Sequence, residues 1–238
     1  MTDLIGDILV KIGSLKSPLP EDFESLETYT VKKVSDADTI DAIAPSGEEI
    51  TVRFVYIDAP ETPKGWGYKR LEDANKDNRF YQTQFKWGEE GKRRAKQLIE
   101  ESNNRVKLRV TDIDTRYGRR IAEVYLLDGT FMQHLLVKEG LANIYYDYFY
   151  KCPRELGIIL LLAEAEAERN KQGLWQESRS EFISPWLFRS LKSKQKKLIK
   201  DPEESRKLLE EVQLLAKDWE ANRITQAEFE ENFKQILK

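Results

Sequence analysis

The sequence predicts an α+β protein: a five-stranded antiparallel barrel of Greek-key type with three packed helices, extended by helices at both ends. Three observations lead there. Between Thr28 and Leu127, short β-branched, aromatic or alternating apolar runs are separated by turn signals such as Pro45-Ser46-Gly47 and Asp128-Gly129. Helical spacing of apolar residues follows the third of these runs and again the fifth. Beyond Arg189 the composition shifts to lysine, glutamate and leucine at helical spacing.

In chain order, Leu4, Ile5, Ile8, Leu9, Ile12 and Leu15 are spaced for a helix that Pro18 and Pro20 end, so residues 1–26 are expected to be a helical extension. Thr28–Val34 reads as a strand, Ser35-Asp36-Ala37-Asp38 as a tight turn and Thr39–Ile43 as a second strand. Glu49–Ile57 is the third, closed by Pro60, which has no N–H for a ladder. On one extended strand Arg53, Val55 and Ile57 would share a face. Residues 62–87 are a polar, charged and aromatic insertion, and a segment of that length without its own structure is uncommon unless functional. Gly88 to about Ser102 is a helix, Arg105–Asp112 the fourth strand and Arg119–Leu126 the fifth. Met132–Glu139 is a helix stopped by Gly140, and Glu155–Lys171 another stopped near Gly173. The OB-fold is the standing example of such a barrel. Residues 27–189 are therefore read as the barrel domain, with 62–87 inserted in it, and 190–238 as a C-terminal helical hairpin whose second helix is capped by Thr225.

Bulk composition narrows the chemistry. The 238 residues are 40% hydrophobic and 11% aromatic, which is a globular composition. The net charge of −3 announces no polyanion partner, so a nucleic-acid site must come from local clustering. One cysteine, Cys152, rules out an internal disulfide framework, and one histidine, His134, rules out a site built from several imidazoles. A metal would then be held by carboxylates and carbonyls, which suits calcium or magnesium. No run is long and apolar enough to span a membrane, and no basic start with a long apolar core marks a secretory signal. A cytoplasmic location is expected on that basis, although an exported and processed chain would look the same.

Three charged turns carry the candidate chemistry: Asp36-Ala37-Asp38-Thr39; Asp58-Ala59-Pro60-Glu61 with Arg53 behind it; and Asp114-Thr115-Arg116-Tyr117-Gly118-Arg119. Each alone is an ordinary turn, and the bland reading of Asp36 is a side chain bonded to its own backbone. On one rim of a barrel they could meet. Two aspartates with a backbone carbonyl and waters make a site for a hard cation. Two arginines can clamp a phosphate, and a nearby glutamate can orient or deprotonate water. Together they suit phosphodiester hydrolysis.

These motifs, in this order, resemble the staphylococcal nuclease (thermonuclease) family from about Tyr29 to Trp175, supported by Leu136-Val137-Lys138-Glu139-Gly140-Leu141-Ala142 and Gly173-Leu174-Trp175. The resemblance implies an OB-fold core and a calcium-dependent nuclease with one Ca2+. Carried over, Asp38 and Asp58 would ligate the ion with the Ala59 carbonyl, and Asp36 would stand in the outer shell. Glu61 would act on the attacking water, Arg53 and Arg119 on the scissile phosphate, and Tyr117, Tyr146 and Tyr148 would line the nucleotide pocket. Where the family usually has Asp-Gly-Asp-Thr, this chain has Ala37, which would strain the turn if the glycine served a positive φ.

DNA and RNA are the expected partners, single-stranded by preference. In 62–87, Lys64, Lys69, Arg70, Lys76 and Arg79 interleave with Trp66, Tyr68, Phe80 and Tyr81, a mixture that suits charge and stacking on a single strand or, equally, a locally folded insertion. Cys152 reads as inert, and His134 as a surface or packed histidine rather than a catalytic one. Residues 205–238, with Asn222-Arg223-Ile224-Thr225-Gln226-Ala227-Glu228-Phe229, resemble short bacterial helical modules of SHOCT type, and 190–238 is read as a protein-docking or self-association element. The alternative to an enzyme is a catalytically silent OB-fold module that binds nucleic acid or a protein. Retention of Asp38, Asp58, Glu61, Arg53 and Arg119 argues against it.

Overall fold

A computed structural model describes residues 18–198 and 201–237; the helix expected over the first 17 residues lies outside this range. The chain divides into two compact units. One comprises residues up to Ala59 with Gly88–Trp175, the other Pro60–Trp87 with the residues from Gln176 onward.

The first unit is built on strands β1 (Thr28–Asp36), β2 (Thr39–Ile43) and β3 (Glu49–Phe54), a two-residue β4 (Ile57–Asp58), β5 (Arg105–Asp114) and β6 (Arg119–Leu126). Five of them close into a barrel in the order β1-β2-β3-β6-β5. Alternation drives this: Val31, Ile40, Val52, Phe54, Leu108 and Val124 are buried inside. Two register shifts in the β1–β2 ladder, at Val31/Lys33 and Val34/Asp36, tighten the bend that closure demands. The seams are antiparallel except β3–β6, which is parallel with Arg53 opposite Ile121.

The expected third strand is shorter than its apolar run. It breaks at Val55-Tyr56, where Tyr56 takes φ 70°, and resumes as β4. Arg53, Val55 and Ile57 therefore do not line one face of a continuous strand. The break is held by burial: the Tyr56 hydroxyl donates to Glu123 Oε1 at 3.1 Å. β4 pairs with β7 (Asn143–Ile144), placing Asp58 opposite Asn143.

One short helix, α1 (Lys69–Ala74), and the first turns of the long α2 (Arg79–Glu101) occupy the segment expected to be an excursion. α2 begins nine residues before Gly88, its expected start, because Asn78 Oδ1 accepts the Phe80 N–H and begins the helix there. Phe80 and Tyr81 are fully buried, so they are core residues and not stacking platforms. In the first unit follow α3 (Met132–Lys138), α4 (Tyr146–Phe149) and α5 (Arg154–Arg169). In the second, α6 (Pro185–Lys197) is a regular helix with proline in its first turn. α7 (Pro202–Glu220) and α8 (Gln226–Ile236) follow, α8 starting with the cap expected at Thr225, which Glu228 completes as a capping box. Phe80, Tyr81, Leu187, Phe188, Leu191, Leu208, Val212, Phe229 and Phe233 form this unit's core. Among the described residues no helix is long and apolar enough to cross a membrane.

Candidate functional site

The β1–β2 turn sets Asp38 at the barrel rim and buries its carboxylate completely. Ala37 adopts no positive φ, so the alanine carries none of the backbone strain that a glycine-requiring turn would have imposed. Space for its methyl comes from Gly91 of α2, where an added Cβ would lie 3.0 Å from the Ala37 Cβ. β3 then brings Arg53 beside Asp38, with Nη1 donating to Oδ1 at 2.5 Å. The break at Tyr56 turns the chain so that Asp58, also fully buried, reaches the same guanidinium through Nη2. The Ala59 N–H donates to Asp38 Oδ2 at 2.6 Å, and Thr39 Oγ1 donates to Oδ1 at 3.1 Å. Asp38, Arg53, Asp58 and Ala59 thus form one buried cluster with one more carboxylate than guanidinium. Burial pushes the Asp38 carboxyl up to about 6, against the pull of Arg53 and with the charges of Asp58 and Asp36 adding to the rise.

This donor set fits a hard divalent cation. Its side-chain ligands are all oxygen and carry surplus negative charge. Asn143, opposite Asp58, keeps a buried Oδ1 without a hydrogen-bond partner. Among the described residues no group of three or more histidine, cysteine or acidic side chains gathers for a metal. Two carboxylates would leave the remaining positions of a hard cation to carbonyl, water and substrate oxygens.

Arg119 opens β6, two residues before the residue paired with Arg53, and so stands on the same face of the sheet. Asp114 holds it, accepting from Nε at 3.1 Å and from Nη2 at 2.6 Å. This hydrogen bond holds the Asp114 carboxyl below its usual range. The exposed Tyr117 ring lies 5.1 Å from the Arg119 guanidinium carbon. Tyr146 and Tyr148 are exposed on α4, whose start is tied to the strand break by the Tyr145 N–H to the Tyr56 carbonyl at 2.8 Å. The Tyr146 hydroxyl donates to Glu164 of α5 at 2.5 Å. Asp36 is half-buried at the end of β1.

Glu61 belongs to the second unit and has its own supports there. Gln84 Oε1 accepts its N–H at 3.3 Å, and Arg189 Nη1 donates to its Oε1 at 3.2 Å. Neither residue was singled out from sequence as a partner of Glu61, and neither were Asp114 and Asn143 as neighbours of Arg119 and Asp58. Only Asp114 carried a signal, its place in the Tyr-Gly-Arg turn. Two other reactive side chains are quiet. Burial lowers His134 to about 4, leaving it neutral near pH 7, and raises the Cys152 thiol to about 12.

The sequence profile described as Staphylococcal nuclease homologue matches residues 51–177. Endonuclease YncB of Bacillus subtilis is 30% identical over 162 residues, covering 68% of each chain. The SPbeta prophage-derived endonuclease YokF of the same organism is 33% identical over 125 residues, 52% of this chain but only 36% of its own length. An uncharacterized endonuclease of Escherichia coli O157:H7 is 27% identical over 162 residues, 68% of this chain and 84% of its own.

Proposed function

The chain belongs to the staphylococcal nuclease homologue family, and on that premise we propose that it is a nuclease hydrolysing phosphodiester bonds of DNA and RNA with one Ca2+. The observation that supports this reading most is the convergence of two fully buried carboxylates, Asp38 and Asp58, on the single guanidinium of Arg53. Such a cluster is costly to maintain for packing alone. Asp38, Asp58 and the Ala59 carbonyl are assigned to the ion, with Asp36 in the outer shell. A cation held there would supply Lewis-acid polarisation of the phosphate. Arg53 and Arg119 are assigned to the scissile phosphate, where their charge would offset the negative charge that grows in the transition state. Glu61 orients or deprotonates the attacking water. Tyr117, Tyr146 and Tyr148 line the nucleotide. A preference for single strands is proposed from Trp66, which is 97% exposed between two glycines of positive φ and flanked by exposed Lys64, Lys69 and Arg70.

Digestion of single- and double-stranded DNA and of RNA with Ca2+, Mg2+ or chelator tests this. Cleavage with Ca2+, abolished by chelator and slowed about a hundredfold or more in Glu61→Gln, is the expected result. No cleavage under any of these conditions would overturn the enzyme reading and leave the alternative, a catalytically silent module that binds nucleic acid or a protein.

A further inference from the structure

Residues 60–65, which carry Glu61, have neither helix nor strand to fix them. A carboxylate that must meet a water at a defined distance and angle needs support from elsewhere, since a displacement of about 1 Å can cost about a hundredfold in rate. Two grips supply it. Gln84, fully buried on α2, accepts the Glu61 N–H and is itself fixed by donating Nε2 to the Ile183 carbonyl at 2.5 Å. Arg189 donates Nη1 to Glu61 Oε1, and the Glu61 side chain is only 13% exposed. The second oxygen of Glu61 has a looser neighbour, Lys64 Nζ at 3.7 Å.

The direction of Arg189 is set by its helix. α6 starts two residues after Ile183, and its rotation is fixed by the buried Leu187, Phe188 and Leu191. Phe188 packs edge-on against Tyr81 of α2, with ring centroids 4.8 Å apart. The Tyr81 hydroxyl donates back to Gln195 of α6 at 2.7 Å. The guanidinium adjacent to Phe188 is therefore held by the same core that holds Gln84.

We propose that Arg189 is a positioning residue for the hydrolysis: it anchors one oxygen of Glu61 so that the other is presented to the attacking water. The inference rests on the role given to Glu61 above. It makes α6, which lies beyond the matched residues 51–177, part of the reaction's support.

Steady-state cleavage of a single-stranded DNA oligonucleotide with Ca2+ by the full chain tests it, comparing wild type, Arg189→Ala, Arg189→Lys, Glu61→Gln and the double variant Glu61→Gln/Arg189→Ala. Melting of each is recorded, and rates are taken below every transition. The expected result is that Arg189→Ala lowers kcat about tenfold with KM within about twofold, and Arg189→Lys falls between it and wild type. In the Glu61→Gln background, removal of Arg189 is expected to cost nothing further, the signature of two residues acting as one unit. Equal fold losses in both backgrounds overturn the proposal, and so does a rise in KM at unchanged kcat. If Arg189→Ala melts too early to assay, Arg189→Gln takes its place in the same cycle. A slow Glu61→Gln beside an undiminished Arg189→Ala overturns this inference alone. A wild-type chain that cleaves nothing, or a fully active Glu61→Gln, overturns the role of Glu61 and this inference with it.

Discussion

Two carboxylates removed from water stay ionised side by side only with a cation between them. At Asp38 and Asp58 that cation is Arg53, and burial pushes the Asp38 carboxyl up to about 6 against the pull of that guanidinium. Arg53→Met keeps much of the side chain's volume and removes its charge. In chelator it is expected to lower stability by about 3–5 kcal/mol, the usual cost of stripping one partner from a buried ionic cluster. Added Ca2+ is expected to recover part of that loss, because the pair then has a positive charge again. Urea titrations of both proteins, with chelator and with Ca2+, read both effects; a variant as stable as wild type in chelator would refute this account of the cluster. The residues of the cluster were legible in the sequence because their types announce their chemistry and they sit at turn and strand ends. The supports of Glu61 were not. Gln84 and Arg189 lie 23 and 128 residues away from it, and nothing local in the sequence encodes such a pairing.

At the scale of elements, helix and strand stops decide where these groups stand. α3 ends with the Gly140 N–H donating to the Val137 carbonyl at 2.9 Å and the Leu141 N–H to the Leu136 carbonyl at 2.8 Å, a paired closure that places Gly140 at φ 66°. Glycine is needed there for a second reason: a Cβ would lie 2.2 Å from the Gln172 carbonyl oxygen, where the end of α5's connection crosses. Gly140→Ala is thus expected to cost about 3 kcal/mol, from left-handed strain plus a backbone clash that no rotamer relieves. Thermal unfolding measures it; a loss under about 1 kcal/mol would show that the crossing can open at little cost. This stop was legible, since glycine after a periodic apolar run is a strong local signal. The break in the third strand was not. Phe54-Val55-Tyr56-Ile57 looks like uninterrupted strand, and the φ of 70° at Tyr56 is stabilised by a buried Glu123, 67 residues further on. Tertiary contact overrode local propensity there.

Across the whole molecule, the chain is used discontinuously. The barrel rim carrying Asp38, Arg53 and Asp58 lies in one unit, while Glu61 follows immediately in a second unit completed by residues from Gln176 onward. The barrel itself was legible from alternation and turns. The second unit was not, because Phe80 and Tyr81 lie among charges in sequence and find their apolar partners, Phe188 and the faces of α7 and α8, over a hundred residues later. Stability of the Glu61 segment should therefore respond to substitutions remote from any reacting group. Phe233 on α8 is fully buried and packs 5.9 Å, centroid to centroid, from Phe229. Phe233→Ala leaves a cavity in a core shared by Phe80, Tyr81 and Phe188, at an expected cost of about 3–5 kcal/mol. Because that core orients α6 and the first turns of α2, the variant is expected to expose residues 60–87 to protease and to lower kcat while leaving the barrel strands protected from hydrogen exchange. Limited proteolysis with mapped cleavage sites, run beside exchange and cleavage rates, separates the cases. Protection lost evenly over barrel and helices would show a single cooperative core, and an unchanged 60–87 would show that the order of this segment does not depend on the core that Phe233 fills.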